Sequence, residues 1–272
     1  MIPAPFTYRR ATSVDEAIEL AADAGEDAKF LAGGHSLMPL MKLRLAVPDT
    51  LVDIGRISEL SHISEQDGHV AIGAMTTHDE IARSGVLAAS VPLLAHIAGR
   101  IGDPQVRHCG TIGGSLAHAD PAADLPAAML ALDATLVARG PAGSREIAAA
   151  DFFLGLFETV LAPGELLTEI RIPKPASAGW SFQKFSKRGI DWAIVGVAVQ
   201  GGNVGLVNMG STPLRASATE QALASGANPG AAAAHAAEGT SPSDDLNAPR
   251  AYREHLARVL VRRALEEAGS RA

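Results

Sequence analysis

Two short glycine motifs, far apart in the chain, contain the residues best suited to bind a ligand. They are Ala32-Gly33-Gly34-His35-Ser36 and Thr111-Ile112-Gly113-Gly114-Ser115. A glycine pair lets backbone N–H groups turn toward an anion without a Cβ in the way, and the neighbouring hydroxyl adds a donor. One such motif is usually a tight turn, but two suit a ligand with two phosphates. Together they predict a site for a pyrophosphate, the group that flavin and nicotinamide dinucleotides carry.

Motifs for other kinds of chemistry are missing from the sequence. Neither the Gly-x-Gly-x-x-Gly of a Rossmann site nor the Gly-x-x-x-x-Gly-Lys-Ser/Thr of a P-loop occurs. Ser36 and Ser115 lack the Gly-x-Ser-x-Gly context of a serine hydrolase. His118, Asp120 and Asp124 have the residue types of a metal site. They lead into a predicted helix, however, where Asp residues cap and complement the helix dipole, and we favour that interpretation.

The composition is typical of a globular protein that does not bind nucleic acid. Of 272 residues, 47% are hydrophobic and 19% charged, the net charge is −7, and the arginines form no basic stripe. The start lacks the features of a secretory signal and no apolar run approaches membrane-spanning length. We therefore expect a cytoplasmic protein with at most peripheral membrane contact. Because Cys109 is the single cysteine, any iron–sulfur cluster must belong to a partner.

The elements that would position the first motif form a small α/β unit. From Ser13 to Gly25 the apolar residues recur at helical spacing, and Ser13 and Glu16 form a capping box. Strands are predicted at Lys29–Ala32, which leads directly into the first motif, and at Thr50–Ile54.

The second motif is predicted to be a loop within a longer unit that begins near Ile57. Thr77 and Glu80 form another capping box, for a helix that runs to Ala82. The other predicted elements are strands at His69–Ala74, Thr135–Ala138 and Leu166–Ile172, and helices at Pro92–Ile101 and Leu125–Leu132. Pro173-Lys174-Pro175 then indicates a domain boundary.

The remaining residues predict a three-stranded sheet backed by helices. The extended runs are Ser181–Ser186, Trp192–Gln200 and Val204–Met209, and the helices are Ser217–Ala224 and Pro249–Ala268, with a further helix favoured by the alanines of Ala231–Ala237. The arginines of the last helix are expected to form a solvated face or, alternatively, a subunit contact; they are Arg250, Arg253, Arg258, Arg262 and Arg263.

The flanks of both motifs resemble a known family. The segments Ala32–Arg44 and Gly110–Asp124 resemble the two FAD motifs of the flavoprotein subunits of molybdenum hydroxylases, and Val207–Pro213 resembles a segment of their C-terminal domain. The similarity runs essentially from end to end. The pattern is closest to the medium subunits of aerobic carbon monoxide dehydrogenases and of relatives that act on N-heterocycles and aldehydes.

The resemblance implies a fold and a role. The fold is α/β (α+β), a PCMH-type FAD-binding fold of two α/β subdomains, residues 1–55 and 56–175, followed by a C-terminal domain, residues 176–272, with a three-stranded antiparallel sheet and helices. The role is electron transfer by noncovalently bound FAD in a heterotrimer. The partners are a molybdopterin-binding large subunit, where substrate is oxidised, and a [2Fe-2S] small subunit, usually in a dimer of heterotrimers.

The resemblance also implies FAD contacts, while no residue of this chain is expected to be catalytic. Around the pyrophosphate are Ala32, Gly33, Gly34, His35, Ser36, Leu37, Thr111, Ile112, Gly113, Gly114 and Ser115. Asp124 would hydrogen-bond ribityl or phosphate-side groups, and Leu167 would contact the ring system or the adenine side. Lys184 would approach the flavin from the third domain. The aromatic residue that shields the isoalloxazine in some members falls near Trp192.

Two other functions are compatible with the glycine motifs. One is a stand-alone FAD-dependent oxidoreductase of the wider PCMH-type group, and the other is a nonredox nucleotide-binding or assembly module. His35 and Cys109 have the residue types of covalent flavin anchors. The resemblance instead implies that His35 shapes its loop by hydrogen bonding and that Cys109 is a small buried residue.

Overall fold

Three sheets, with helices packed on them, form the main body of the protein. The computed structural model describes residues 2–175 and 179–271. Along the chain these sheets are a three-stranded parallel sheet, a five-stranded antiparallel sheet and a four-stranded antiparallel sheet. Within the described residues no helix is both long and apolar enough to cross a lipid bilayer.

The N-terminal unit is the parallel sheet, with strand order β1-β3-β2. Its elements are β1 (Thr7–Arg10), α1 (Val14–Ala24), β2 (Ala28–Leu31), α2 (Leu37–Lys42) and β3 (Thr50–Asp53). The Ser13 hydroxyl caps α1 by accepting a hydrogen bond from the Glu16 amide. The reciprocal hydrogen bond of the predicted capping box, from the Ser13 amide to the Glu16 carboxylate, is wrong. The Glu16 carboxylate accepts instead from the amide and hydroxyl of Thr12.

The second unit is built on the antiparallel sheet, with strand order β4-β5-β10-β6-β7. Its elements, besides a 3-10 turn at Ser58–Leu60, are β4 (Ile63–Glu65), β5 (His69–Gly73), α3 (His78–Arg83), α4 (Gly85–Ser90), α5 (Pro92–Gly99), α6 (Pro104–Cys109), α7 (Ile112–His118), α8 (Asp124–Ala131), β6 (Thr135–Gly140), β7 (Gly143–Ala148), α9 (Ala149–Phe152), β8 (Phe153–Gly155), β9 (Glu158–Thr159) and β10 (Leu166–Pro173). The Thr77–Glu80 capping box is confirmed, with both of its hydrogen bonds formed. The second glycine motif is not a loop, since Thr111 caps α7 and both glycines lie in its first turn.

The third unit has the three predicted strands and a fourth one. Its elements are β11 (Trp180–Phe185), β12 (Val195–Gln200), β13 (Asn203–Val207), β14 (Leu214–Arg215), α10 (Ser217–Ala224), α11 (Pro229–Ala233) and α12 (Arg250–Ser270). The predicted three-stranded sheet is therefore corrected to four strands, because a two-residue strand after a turn pairs with β13 and is too short to give a periodic pattern. The alanine run is helical only to Ala233. The predicted start of this domain, at 176, lies outside the described residues.

The long helix α12 packs against β11 and β12, and one of its arginines is buried. Arg253 is 1% exposed, so the expectation of a solvated face is wrong for this residue, whereas the other four arginines of the helix are exposed. Its guanidinium donates to the Ile194 carbonyl at 2.5 Å and to the Asp245 carboxylate at 2.8 Å. Burial alone would raise the pKa of Asp245, but hydrogen bonds from the Asn247 and Ala248 amides and from Arg253 outweigh it and hold the pKa at about 2.

Replacing Arg253 with Met should destabilise the protein strongly. The side-chain volume is retained, but the buried Ile194 carbonyl loses its donor and Asp245 loses its cation, so we expect a loss of about 2–4 kcal/mol. Urea unfolding followed by circular dichroism measures this loss. Arg263→Met, on the exposed face of the same helix, should change the free energy of unfolding by less than about 0.5 kcal/mol. Equal effects of the two substitutions would contradict the role assigned to Arg253.

Candidate functional site

A cavity of about 640 Å³ lies where the three units meet. This volume is within the range of about 300–1,000 Å³ typical of small-molecule and cofactor sites. Of the predicted FAD contacts, those that line it are Ala32, Gly33, Gly34, His35, Ser36, Leu37, Thr111, Gly113, Gly114, Ser115, Asp124, Leu167, Lys184 and Trp192. Ile112 does not, because its side chain is fully buried in the core of the second unit.

The first motif presents a row of unpaired backbone amides. It connects the end of β2 to the start of α2. In the part of the chain that the structure describes, the N–H groups of Gly33, Gly34, His35 and Ser36 form no hydrogen bond with the protein. Consecutive free amides at a concave wall are a typical binding site for an anion such as a phosphate.

Gly33 brings this motif into backbone contact with the residues just before the second motif. A Cβ on Gly33 would lie 1.9 Å from the carbonyl oxygen of Cys109, where no real Cβ fits. Cys109 ends α6, two residues before Thr111. The expectation that Cys109 is buried is wrong, since this residue is exposed. The carbonyl, and not the thiol, is the part of Cys109 that packs against the first motif.

The second motif uses its amides differently. The Ile112 amide donates to the Thr76 carbonyl at 3.0 Å, the Gly113 amide to the Ala74 carbonyl at 2.8 Å, and the Gly114 amide to the Thr111 hydroxyl at 3.1 Å. A Cβ on Gly113 would lie 2.6 Å from the Cβ of Ala74, so this glycine permits close packing of α7 on the end of β5. These three amides are therefore already satisfied within the protein.

A buried ion pair joins the second and third units at the cavity wall. Lys184 on β11 donates to Oδ2 of Asp124, the first residue of α8, at 2.6 Å, and their side chains are 5% and 4% exposed. Burial raises the pKa of Asp124, and the nearby Lys184 opposes this. The other carboxylate oxygen, Oδ1, is buried and has no hydrogen-bond partner in the described residues. The pair thus retains an unused acceptor beside the cavity.

The rest of the predicted contact set is apolar. Leu167, at the start of β10, is buried at the cavity wall, whereas Trp192 is 60% exposed. Phe157 and Ile190 also line the cavity and are largely exposed, and the Phe157 ring lies 5.0 Å from that of His118. These residues give the cavity an apolar rim that suits a planar aromatic ring system.

The sequence reasoning missed His78, another residue of the cavity wall. It is 5% exposed, and its Nδ1 has no hydrogen-bond partner in the described residues. Burial, and secondarily the charges of His35 and Arg107, lower its pKa to about 4, so the ring is neutral at physiological pH. The only sequence signal was its place directly after the capping residue Thr77. Among the residues described, no cluster of three or more His, Cys, Asp or Glu side chains could hold a metal ion.

Comparisons with known proteins agree on one family. Residues 4–175 match the FAD binding domain in molybdopterin dehydrogenase, and residues 180–268 match the CO dehydrogenase flavoprotein C-terminal domain. The chain is 42% identical to the carbon monoxide dehydrogenase medium chain of Afipia carboxidovorans, covering 100% of this chain and 99% of that protein. It is 40% identical to subunit alpha of the 6-hydroxypseudooxynicotine dehydrogenase complex of Paenarthrobacter nicotinovorans, covering 100% and 97%. A solved chain of carbon monoxide dehydrogenase from Hydrogenophaga pseudoflava superimposes with a TM-score of 0.95, at 42% identity and full coverage of both chains.

Replacing Gly33 with Ala should separate the two motifs and destabilise the protein. The new methyl group would collide with the Cys109 carbonyl, so we expect a loss of about 2 kcal/mol or more. Thermal unfolding of the full chain measures this effect. Gly269→Ala, in α12 with nothing within 4 Å of the added methyl group, should leave the stability unchanged or raise it by about 0.5–1 kcal/mol. A Gly33→Ala protein as stable as the wild type would contradict the contact.

Replacing Lys184 with Met should make stability depend on pH in a defined direction. Asp124 would lose its cation, so its pKa in the folded state would rise further above the unfolded value. The free energy of unfolding is then highest at pH values below the pKa of Asp124 in the unfolded chain. It falls as pH rises through the pKa of Asp124 in the folded protein, and the loss reaches about 3–5 kcal/mol at neutral pH.

Urea unfolding between pH 4 and pH 8 measures this dependence. The double variant Asp124→Asn with Lys184→Met has no buried charge at this position, so it should lack the extra pH dependence and be more stable at pH 8 than the single Lys184→Met variant. A Lys184→Met protein whose stability does not fall with pH would show that Asp124 is not held as an ion by Lys184.

Proposed function

This chain belongs to the family of FAD-binding medium subunits of molybdenum hydroxylases, and from that premise we propose that its cavity holds noncovalent FAD for electron transfer. The electrons come from [2Fe-2S] clusters of a partner subunit and leave to an external acceptor. Substrate oxidation takes place in another polypeptide, so the chain is the flavoprotein subunit of a molybdenum-containing oxidoreductase complex.

The observation that carries the proposal is the row of four free amides on one wall of the cavity. Gly33, Gly34, His35 and Ser36 offer consecutive N–H donors that the described protein does not use. The buried Oδ1 of Asp124 is an unused acceptor at the same cavity. Donors for a pyrophosphate and an acceptor for hydroxyl or ring N–H groups fit the polar parts of FAD.

The two glycine motifs contact the pyrophosphate through different chemical groups. The first motif binds the pyrophosphate through its amides. The second motif contributes the hydroxyls of Thr111 and Ser115, because the amides of Ile112, Gly113 and Gly114 are engaged within the protein. The second glycine pair serves packing, and Ala32 and Leu37 border the bound phosphates through their position in the cavity wall.

The flavin end of the cofactor is assigned to the wall shared with the third unit. Bound FAD accepts and donates electrons singly or in pairs, so the protein only has to bind, orient and shield it. Lys184, held by Asp124, fixes a positive charge there without adding net charge to the buried wall. Oδ1 of Asp124, which has no partner in the described residues, would accept a hydrogen bond from the cofactor, and Leu167 and Trp192, which line the same cavity, would contact its aromatic rings.

The partners follow from the family and from the cysteine content. A chain with one cysteine cannot ligate a [2Fe-2S] cluster, and its relatives are named as chains or subunits of multi-subunit dehydrogenases. We therefore propose a molybdopterin-binding large subunit and a [2Fe-2S] small subunit, assembled as a dimer of heterotrimers in the cytoplasm. Residues 1–55 and 56–175 form the two FAD-binding subdomains of this chain, and residues 176–272 form the C-terminal flavoprotein domain.

Purification of the tagged chain from its native cells, together with FAD titration of the chain alone, tests this function. We expect a complex that contains molybdenum, iron and FAD, and a yellow protein after FAD is added to the isolated chain. A chain that takes up FAD but copurifies with no molybdenum protein, and oxidises a small molecule by itself, would establish a stand-alone flavoenzyme. A chain that takes up no FAD, alone or in its complex, would overturn the cofactor assignment.

A further inference from the structure

The position of His78 at the cavity wall is fixed by backbone contacts beside the second glycine motif. It is the first residue of α3, and its amide donates to the Gly110 carbonyl at 2.9 Å. The preceding residue, Thr77, forms an antiparallel bridge with Thr111 of the second motif. The backbone at His78 is therefore in direct contact with the backbone of the cavity wall.

The imidazole ring packs against a glycine that leaves room for it. A Cβ on Gly110 would lie 2.9 Å from Cδ2 and from Nε2 of His78, so a larger residue at 110 would displace the ring. Neither ring nitrogen forms a hydrogen bond with the residues at 2–175 or 179–271. A buried imidazole with no partner costs free energy unless a ligand supplies one, since buried polar groups in folded proteins are normally hydrogen-bonded.

The charges around the ring favour an anionic ligand. The groups that act on it are His35 of the first motif and Arg107 of α6, and both disfavour a further positive charge on His78. On its own helix, the Asp79 carboxylate is bonded to Arg83 and that of Glu80 to Thr77. Of the other helices packed on α3, α4 has no titratable residue, and α5 has His96, whose ring lies 5.2 Å from that of Trp180.

We propose that the imidazole of His78 is a further contact of the cofactor and donates a hydrogen bond to the pyrophosphate held between the two glycine motifs. The inference rests on the proposed function, because it assigns a residue to the same FAD site. His78 supplies a side-chain donor on the wall where the amides of Ile112, Gly113 and Gly114 are unavailable. Its role is binding, with no part in electron transfer.

Two substitutions separate this role from a structural one. His78→Leu removes both ring nitrogens, and we expect the dissociation constant for FAD to rise about three- to tenfold, the effect of one lost hydrogen bond. The apo protein should be as stable as the wild type or more stable, because an unpaired buried polar group is removed. His78→Gln keeps an N–H donor of similar reach and should restore most of the affinity. His108→Gln, on the exposed face of α6, is the matched control and should change neither quantity.

The ionisation of His78 gives a direct readout. In the apo chain its pKa is about 4, and a pyrophosphate beside the ring should raise this pKa because a negative charge favours the imidazolium. Titration of ¹⁵N-histidine resonances with and without FAD measures the change, and His78→Gln identifies the signal. An unchanged or lower pKa with FAD bound, or FAD affinity equal in His78→Leu and wild type, would overturn the inference. Failure of the wild type to bind FAD, both alone and in its complex, would instead refute the proposed function.

Discussion

The architecture of the cavity depends on one backbone contact that only glycine allows. Gly33 approaches the carbonyl of Cys109 so closely that a Cβ would overlap it. This contact brings the loop after β2, in the first unit, against the end of α6, in the second. Gly113 allows a comparable approach of α7 to the end of β5. Gly33 and Gly113 therefore set how closely the walls of the cavity approach each other.

Some polar groups of the cavity wall are hydrogen-bonded within the protein, and others have no partner in the described residues. The amides of Ile112, Gly113, Gly114 and Ser115 are bonded within the protein, whereas those of Gly33 to Ser36 are free in the described structure. Asp124 is paired with Lys184 through one oxygen only, and the ring of His78 is neutral. Polar groups left without partners at one cavity cost stability in the apo protein, and this cost is recovered when a ligand binds.

The third unit closes the cavity through contacts made far along the chain. Lys184 lies on β11 and reaches Asp124 of the second unit. The segment that includes Ile190 and Trp192 is followed by Ile194, whose carbonyl accepts a hydrogen bond from the buried Arg253 of α12. The C-terminal helix therefore supports the cavity rim without touching the cavity. Electron-transfer subunits need such rigidity, because the protein's contribution is to hold its cofactor in a fixed orientation.

The sequence alone determined the family and many, though not all, of the local elements. Helical and strand periodicity, the capping box at Thr77 and the flanks of the glycine motifs are short-range signals, and they predicted the three units and the FAD motifs. Only the tertiary structure decided that Arg253 is buried, that the second motif opens a helix with its amides engaged, that Asp124 and Lys184 form one pair, and that His78 lies at the cavity. Each of these depends on partners in other elements, and a local pattern does not specify which distant groups will meet or which will remain unpaired.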